Sequence, residues 1–263
     1  MMKSSRLHVL RQGTGPVVLM LHGIGASGTA WTRQMDQLDG EFTCVAPDLP
    51  GYGDSPDPIA PGFESFVDEV AGVLNDRPAH IVGVSFGALC AIGLARRHPA
   101  LVRSLVLADA TLGRAGRPAA ELDNWLQHRQ RLSVELATRS LERAAEIAAP
   151  DAPPEVLQEI AWHMRRARPT GYMAVARAIA QTDARPWLKS IRAPCLVVCG
   201  EHDTVTGPDV SKELVAGLPD ATQLTLKSAG HAPHIERPEQ FAQAMRRFLH
   251  GHGGGDGTGT PPI

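Results

Sequence analysis

The chain of 263 residues contains no run of about 20 apolar residues, the length that a membrane-spanning helix requires. Residues 1–6 lack the apolar stretch of a secretory signal peptide. An excess of charge of one sign is also missing: the formal net charge is -2, which argues against the basic surface that binds nucleic acids or anionic membranes. These absences predict a cytoplasmic protein that binds neither nucleic acid nor membrane. We further expect a monomer or homodimer whose partner is a small-molecule substrate.

Cysteine is scarce and is not arranged for metal binding. Cys44, Cys90, Cys195 and Cys199 all lie in apolar runs rather than in spaced clusters with histidine. Residues four apart on a strand, as Cys195 and Cys199 are, share a face but lie too far apart for a disulfide or for one metal ion. We therefore expect buried, reduced thiols, with no metal and no cofactor.

Short apolar runs alternate with stretches of helical periodicity along most of the chain. The runs lie at 17–21, 42–46, 81–84, 105–108, 195–199 and 222–226, and the helical stretches lie near 28–38, 65–75, 86–98, 208–217 and 237–249. Continuous apolar strands between helices are typical of a parallel sheet covered on both faces. The sequence thus predicts an α/β fold with a doubly wound, mostly parallel sheet, in which ligands bind outside the carboxyl ends of the strands.

The alternation breaks once. No strand-like run occurs in 111–184, which is rich in Ala, Arg, Glu and Leu and is divided by prolines, so this segment is predicted to form several helices. We interpret it as a helical cap inserted into a core of 1–110 and 185–250. Residues 251–263 are rich in glycine and lack apolar periodicity, which predicts a disordered tail.

The motif GVSFG at 83–87 follows a predicted strand and precedes a predicted helix. A serine in this context lies on a sharp turn, where a side chain at Gly83 or Gly87 is expected to collide with the backbone. The turn holds the Ser85 hydroxyl clear of the sheet. Serine is a weak nucleophile without a base, so the rest of the chain must supply a histidine, an acid and oxyanion donors.

His231 is the strongest candidate for the base, because it directly follows the strand at 222–226 and so lies at the same sheet edge as Ser85. His234 is the reserve. For the acid, Asp203 follows the strand at 195–199, whereas Asp109 ends the strand at 105–108 and could also reach the imidazole. We favour Asp203, for which a turn or helix-capping role is the structural alternative.

A second oxyanion donor is expected in the turn after the first predicted strand, where the sequence reads His22-Gly23-Ile24-Gly25. The glycines allow a tight backbone that presents the Ile24 N–H toward Ser85, beside the N–H of Phe86. His22 itself is expected to order the loop.

Taken together, an HGxG loop, a GYGDS loop, GVSFG, GEHD and a late GHAPHIERPEQF resemble the α/β-hydrolase superfamily over nearly the whole chain outside the cap and tail. The resemblance is strongest to capped small serine hydrolases such as 3-oxoadipate enol-lactonase and related esterases. It implies Ser85 as nucleophile, His231 as general base and then acid, Asp203 as the orienting acid, and Ile24 and Phe86 as oxyanion donors.

Three functions follow from this resemblance. The first is a serine hydrolase that cleaves a small carboxylic ester or lactone through an acyl-enzyme on Ser85. The second is a hydrolase of carbon–carbon bonds in vinylogous diketo acids, but such relatives commonly carry an aromatic residue after the catalytic histidine, where Ala232 stands here. The third is a non-catalytic ligand-binding protein on the same fold, against which the intact Ser, His and Asp set argues.

The cap is expected to select the substrate. An arginine can bind a carboxylate through two parallel hydrogen bonds, and a tryptophan is typical of a pocket wall. Arginines on cap helices are, however, more often exposed to solvent. The candidates for substrate binding are Trp125, Trp162, Tyr172 and Arg165.

Overall fold

The computed structural model describes residues 6–252 of the chain. In this range seven strands form one sheet in the order β1-β3-β2-β4-β5-β6-β7. Their bounds are β1 Val9–Gln12, β2 Val17–Leu21, β3 Thr43–Pro47, β4 Ala79–Val84, β5 Val102–Ala108, β6 Cys195–Gly200 and β7 Ala221–Leu226. β1 pairs antiparallel with β3 and every other pair is parallel, so the prediction of a mostly parallel sheet is confirmed.

Helices lie on both faces of the sheet. Their bounds are α1 Thr32–Leu38, α2 Phe63–Val73, α3 Phe86–Arg97, α4 Ala119–Ile147, α5 Pro154–Arg165, α6 Pro169–Gln181, α7 Gly207–Gly217, α8 Pro233–Glu236 and α9 Pro238–Gly251. One apolar cluster joins the sheet to α2, α3 and α7, and a second joins the opposite face to α1 and α9. The predicted doubly wound arrangement is therefore confirmed.

The strand sequences explain the two apolar clusters. Side chains alternate between the faces of a strand, so Leu19 and Leu21 of β2 enter one cluster while Val18 and Met20 enter the other. A strand that is covered on both faces has to be apolar at consecutive positions. Each of the six predicted apolar runs coincides with one strand, whereas β1, a partly exposed edge strand of four residues, was not predicted.

Between β5 and β6 the chain forms α4, α5 and α6, which share an apolar cluster of their own above the carboxyl edge of the sheet. Leu136, Ile160 and Tyr172 are buried in it, one from each helix. The helical character predicted for this segment agrees with these elements. Helix α9 continues to Gly251, and the rest of the predicted tail, 253–263, lies outside the described residues.

All four cysteines are buried and free of disulfides, and burial raises the pKa of the Cys90 thiol well above its ordinary value. Within residues 6–252, no helix combines the length and the hydropathy needed to cross a membrane.

Candidate active site

Ser85 lies between β4 and α3 with a φ of +55°, a left-handed conformation that few non-glycine residues adopt. The flanking glycines make the turn possible. A Cβ on Gly83 would lie 2.4 Å from the Gly87 carbonyl oxygen, and a Cβ on Gly87 would lie 2.1 Å from the Leu21 oxygen of the neighbouring strand β2. The predicted collision thus occurs at both positions, at Gly83 within the turn and at Gly87 against the adjacent strand.

A continuous hydrogen-bond chain joins Ser85, His231 and Asp203. The Ser85 Oγ lies 3.0 Å from Nε2 of His231, and the His231 Nδ1 lies 2.9 Å from Oδ1 of Asp203. All three residues are buried, and they come from loops that follow β4, β6 and β7 at one edge of the sheet. The structure therefore brings the predicted nucleophile, base and acid together in the order that nucleophilic catalysis requires.

Hydrogen bonds keep Asp203 ionised although the carboxyl is buried. Burial alone raises its pKa, but the hydrogen bond and charge of His231, the Thr206 hydroxyl and the Val205 N–H lower it well below the ordinary value. The Val205 N–H donates to Oδ1 over 2.8 Å, and the Gly207 N–H donates to Oδ2 over 3.1 Å. A fixed carboxylate of this kind holds the imidazole in one orientation and stabilises its protonated form.

Asp109, the alternative acid, does not bond to the imidazole. Its Oδ1 accepts the Gly200 N–H over 2.9 Å, and its buried Oδ2 has no hydrogen-bond partner among the described residues. Burial, and then the charge of Asp203, raise the pKa of Asp109 well above its ordinary value, which favours the neutral acid.

Asp109, Asp203 and His231 also form a candidate metal cluster, since one ligand atom from each lies within 4.8 Å of the others. Within residues 6–252, no other group of three or more His, Cys, Asp and Glu side chains is close enough together to hold an ion. However, His231 already uses its two ring nitrogens for Asp203 and Ser85. The geometry is that of a hydrogen-bond relay rather than of a metal centre.

The loop after β2 lies against the serine turn. A Cβ on Gly23 would lie 3.2 Å from the Ser85 Cβ, which places the predicted donor Ile24 beside the nucleophile. His22 orders this loop as expected: Nδ1 lies 2.9 Å from the Gly23 oxygen, and Nε2 accepts the Leu49 N–H over 2.9 Å. Burial lowers the pKa of His22 to about 4, so the ring is neutral at pH 7.

The other predicted donor, the N–H of Phe86, opens helix α3 directly after Ser85. The first N–H groups of a helix lack partners within the helix and are free to bind an anion. The Phe86 ring turns the other way and packs edge-on against Phe63 and Phe66 in the core.

Glu236 is a buried acid beside the His231 loop that sequence analysis missed. Its buried carboxylate accepts the N–H groups of Gly230 and Ala232, which flank His231, over 2.9 and 3.0 Å. It also accepts the Ala149 N–H, just after α4, over 2.7 Å. Glu236 thus ties the histidine loop to the end of α4. The signal that could have identified it is its place in the late motif, five residues after His231.

His234, the reserve base, forms no hydrogen bond with Ser85 or Asp203. Its ring is fully buried, packs 4.5 Å from the Trp31 ring, and has no hydrogen-bond partner on either nitrogen among the described residues. Burial lowers its pKa to about 3. This position favours a structural role as an apolar wall.

Two cavities meet at Ser85 and His231. The larger of the two, of about 90 Å³, extends under α4 and α6 and is called the cap lobe. Its wall includes Thr111, Arg114, Trp125, Arg129, Arg143 and Tyr172, together with the apolar residues Leu136 and Ile179. The smaller, of about 50 Å³, is called the apolar lobe and is distinguished by Ala26, Val84, Ile160, His163, His234 and Ile235. A substrate held at Ser85 can therefore extend in two directions of different polarity.

Of the four cap candidates, Trp125 and Tyr172 line the cap lobe, but Trp162 and Arg165 do not. Trp162 is 41% exposed and lines a separate surface cleft, and Arg165 is exposed on the outer face of α5. Helix geometry explains why Trp162 and Arg165 lie outside the lobe. Successive helical residues differ by about 100° around the axis, and α5 buries His163 and Met164, so the two residues on either side of them face outward. The arginines of the cap lobe are instead Arg114, Arg129 and Arg143.

The chain is similar to proteins of known family and known structure. The sequence profile of the family described as "alpha/beta hydrolase fold" matches residues 16–238. A pimeloyl-[acyl-carrier protein] methyl ester esterase from Chromobacterium violaceum is 33% identical over 92% of this chain and 98% of its own. Among solved structures, a thermophilic esterase from Thermogutta terrifontis (26% identity, 94% of each chain) has a TM-score of 0.83. The enol-lactonase from Burkholderia xenovorans LB400 (26% identity, 93% of this chain and 96% of its own) has a TM-score of 0.80.

Proposed function

Since the chain belongs to the α/β-hydrolase fold family, as its sequence motifs predicted, we propose that it is a serine hydrolase that cleaves a small carboxylic ester or lactone through an acyl-enzyme on Ser85. The observation that carries the proposal is the buried chain from Ser85 through His231 to Asp203, with distances of 3.0 and 2.9 Å, at the meeting point of two cavities. The esterase names of the relatives agree with the predicted ester hydrolase.

In this mechanism the Ser85 oxygen attacks the acyl carbon while Nε2 of His231 takes the hydroxyl proton. The N–H groups of Ile24 and Phe86 hold the oxyanion of the tetrahedral intermediate. Collapse of that intermediate breaks the bond to the alkoxide, which receives the proton from His231 and leaves. A water molecule then gives a proton to His231 and attacks the acyl carbon. The second intermediate collapses by breaking the bond to the Ser85 oxygen, which takes that proton back from His231, and the acid departs.

The relatives narrow the substrates to be tried. The esterase from Chromobacterium violaceum is named for a methyl ester, and the Burkholderia structure for an enol-lactone. A panel of methyl esters, aryl esters, lactones and a vinylogous diketo acid separates ester, lactone and carbon–carbon cleavage. We expect methyl or aryl esters to be hydrolysed fastest, whereas faster cleavage of the diketo acid would favour the carbon–carbon hydrolase.

Hydrolysis of short p-nitrophenyl esters by Ser85→Ala tests the nucleophile. We expect turnover to fall by at least about 10⁴-fold, because triad nucleophiles contribute on this scale. Ser190→Ala, at an exposed position, is the matched control and should keep the wild-type rate. Circular dichroism checks that both variants are folded, and full residual activity in a folded Ser85→Ala protein would remove Ser85 from the mechanism.

A further inference from the structure

The residues that line the cap lobe include more positive than negative charge. Among the residues that line it, Arg114, Arg129 and Arg143 carry formal charge and none is Asp or Glu. A cavity lined by one sign of charge attracts a ligand of the opposite sign, and low-dielectric walls strengthen the attraction.

Among the three arginines of the cap lobe, Arg129 is the one without a carboxylate partner in the described part of the chain. It lies on α4, and its Nη1 donates to the Tyr172 hydroxyl over 3.2 Å. No carboxylate in residues 6–252 forms an ion pair with it, and its buried Nε has no hydrogen-bond partner there. A buried guanidinium N–H without a partner is costly unless a ligand supplies the acceptor.

Arg114, which precedes Trp125 in the sequence, shares one feature with Arg129, a buried Nε without a hydrogen-bond partner among residues 6–252. Its guanidinium pairs with the partly exposed Glu121 over 2.6 Å, but its buried Nε also lacks a partner in the described chain. Burial, together with the charges of Arg117 and Arg129, lowers the pKa of Arg114 relative to its ordinary value. Arg143 differs, because it is paired with Glu146 over 2.7 Å.

Trp125 holds the two arginines in the wall. The guanidinium carbons of Arg114 and Arg129 lie 5.2 and 4.9 Å from the Trp125 ring centroid. Stacking on an aromatic ring restricts a long side chain while leaving its N–H groups free at the edge of the guanidinium plane. The donors are therefore held in place before a ligand arrives, which lowers the entropic cost of binding.

We propose that the substrate is an ester whose acyl arm ends in a carboxylate, and that Arg129 and Arg114 bind this carboxylate in the cap lobe while the small alcohol occupies the apolar lobe. The inference rests on the proposed function, since it identifies the substrate class of the same site. Arginine offers paired N–H groups that match the two oxygens of a carboxylate. The two lobes match the two ends of such an ester, because the larger lobe is lined by arginines and the smaller lobe is apolar.

The test compares two methyl esters of equal length, one ending in a carboxylate and one in the neutral carboxamide, over a series of straight-chain acyl groups. We expect the wild-type kcat/KM to favour the carboxylate by about 10- to 100-fold at the best length, the range of a charge-assisted hydrogen bond. Arg129→Gln should bring this ratio close to one. Arg131→Gln, exposed two residues further along α4, should keep the wild-type ratio.

A binding measurement separates failure of the carboxylate site from failure of the ester hydrolase. Calorimetry of folded Ser85→Ala with the carboxylate half-ester needs no turnover, and we expect binding that the carboxamide does not show. Binding without hydrolysis by the wild type would overturn the ester function and support the carboxylate site. Hydrolysis with equal rates for the two esters, or a ratio that Arg129→Gln leaves unchanged, would overturn the carboxylate site alone. Absence of both hydrolysis and binding would overturn both.

Discussion

The proposed reaction centre, formed by Ser85, His231 and Asp203, lies beside the wall of the cap lobe. The polar atoms of these two regions differ in whether they have hydrogen-bond partners. In the centre, Asp203 accepts hydrogen bonds from His231, Val205, Thr206 and Gly207. In the wall, buried Nε atoms of Arg114 and Arg129 have no partner among the described residues. The paired groups are organised in advance for charge that develops during the reaction, and the unpaired donors are available for charge that the ligand brings.

The largest expected effect concerns the acid of the reaction centre. Asp203→Asn should lower kcat by about 10⁴-fold, because an amide no longer stabilises the protonated imidazole. Asp109→Asn should lower it by about tenfold or less, since an asparagine resembles the neutral acid that burial favours at this position. Steady-state kinetics on one aryl ester measure both. The reverse order would assign the orienting role to Asp109.

A smaller effect on kcat is expected from Glu236, which joins the His231 loop to the end of α4. Glu236→Gln weakens the hold on the N–H groups beside His231, and kcat should fall by about 10- to 100-fold, the range of hydrogen bonds to a charged group. KM should change little, because Glu236 does not line either lobe. Glu239→Gln, exposed on α9, is the control. A rise in KM with an unchanged kcat would show that Glu236 acts on the cavity wall rather than on His231.

The smallest effect is one on stability rather than on rate. The pKa of Asp109 is raised in the folded state, so its contribution to stability is present below the unfolded pKa of about 3.9 and is lost as the pH rises through the folded pKa. Between about pH 5 and pH 8, the free energy of unfolding of the wild type should therefore decline relative to that of Asp109→Asn. Urea denaturation across this range measures the difference, and parallel curves would show that Asp109 has an ordinary pKa.

The fold of the core and the positions of Ser85, Asp203 and His231 could be predicted from sequence because both depend on local rules. Apolar runs mark strands, and the carboxyl ends of parallel strands meet at one edge, so residues that follow such runs converge there. This rule placed Ser85, Asp203 and His231 on adjoining loops, where the structure has them. It missed β1, because a short edge strand that is partly exposed has no continuous apolar run.

The cavity wall could be predicted only in part, because it depends on how helices turn their faces. Tyr172 and Trp125 face the cap lobe, whereas Trp162 lies on the solvent side of α5, although all three are aromatic residues on cap helices. Arg114 was missed because it precedes α4, in a segment without helical periodicity. Which arginine remains unpaired is decided by contacts between distant residues, such as that of Arg129 with Tyr172.

The nucleophilic role of Ser85 is tested most directly by intact-protein mass spectrometry after treatment with an alkyl fluorophosphonate, which phosphonylates activated serines with loss of fluoride. We expect one adduct per chain, mapped by peptide analysis to Ser85, and no adduct in Ser85→Ala or in protein denatured before treatment. An adduct on another serine, or unchanged labelling of Ser85→Ala, would contradict the proposal that His231 and Asp203 activate Ser85.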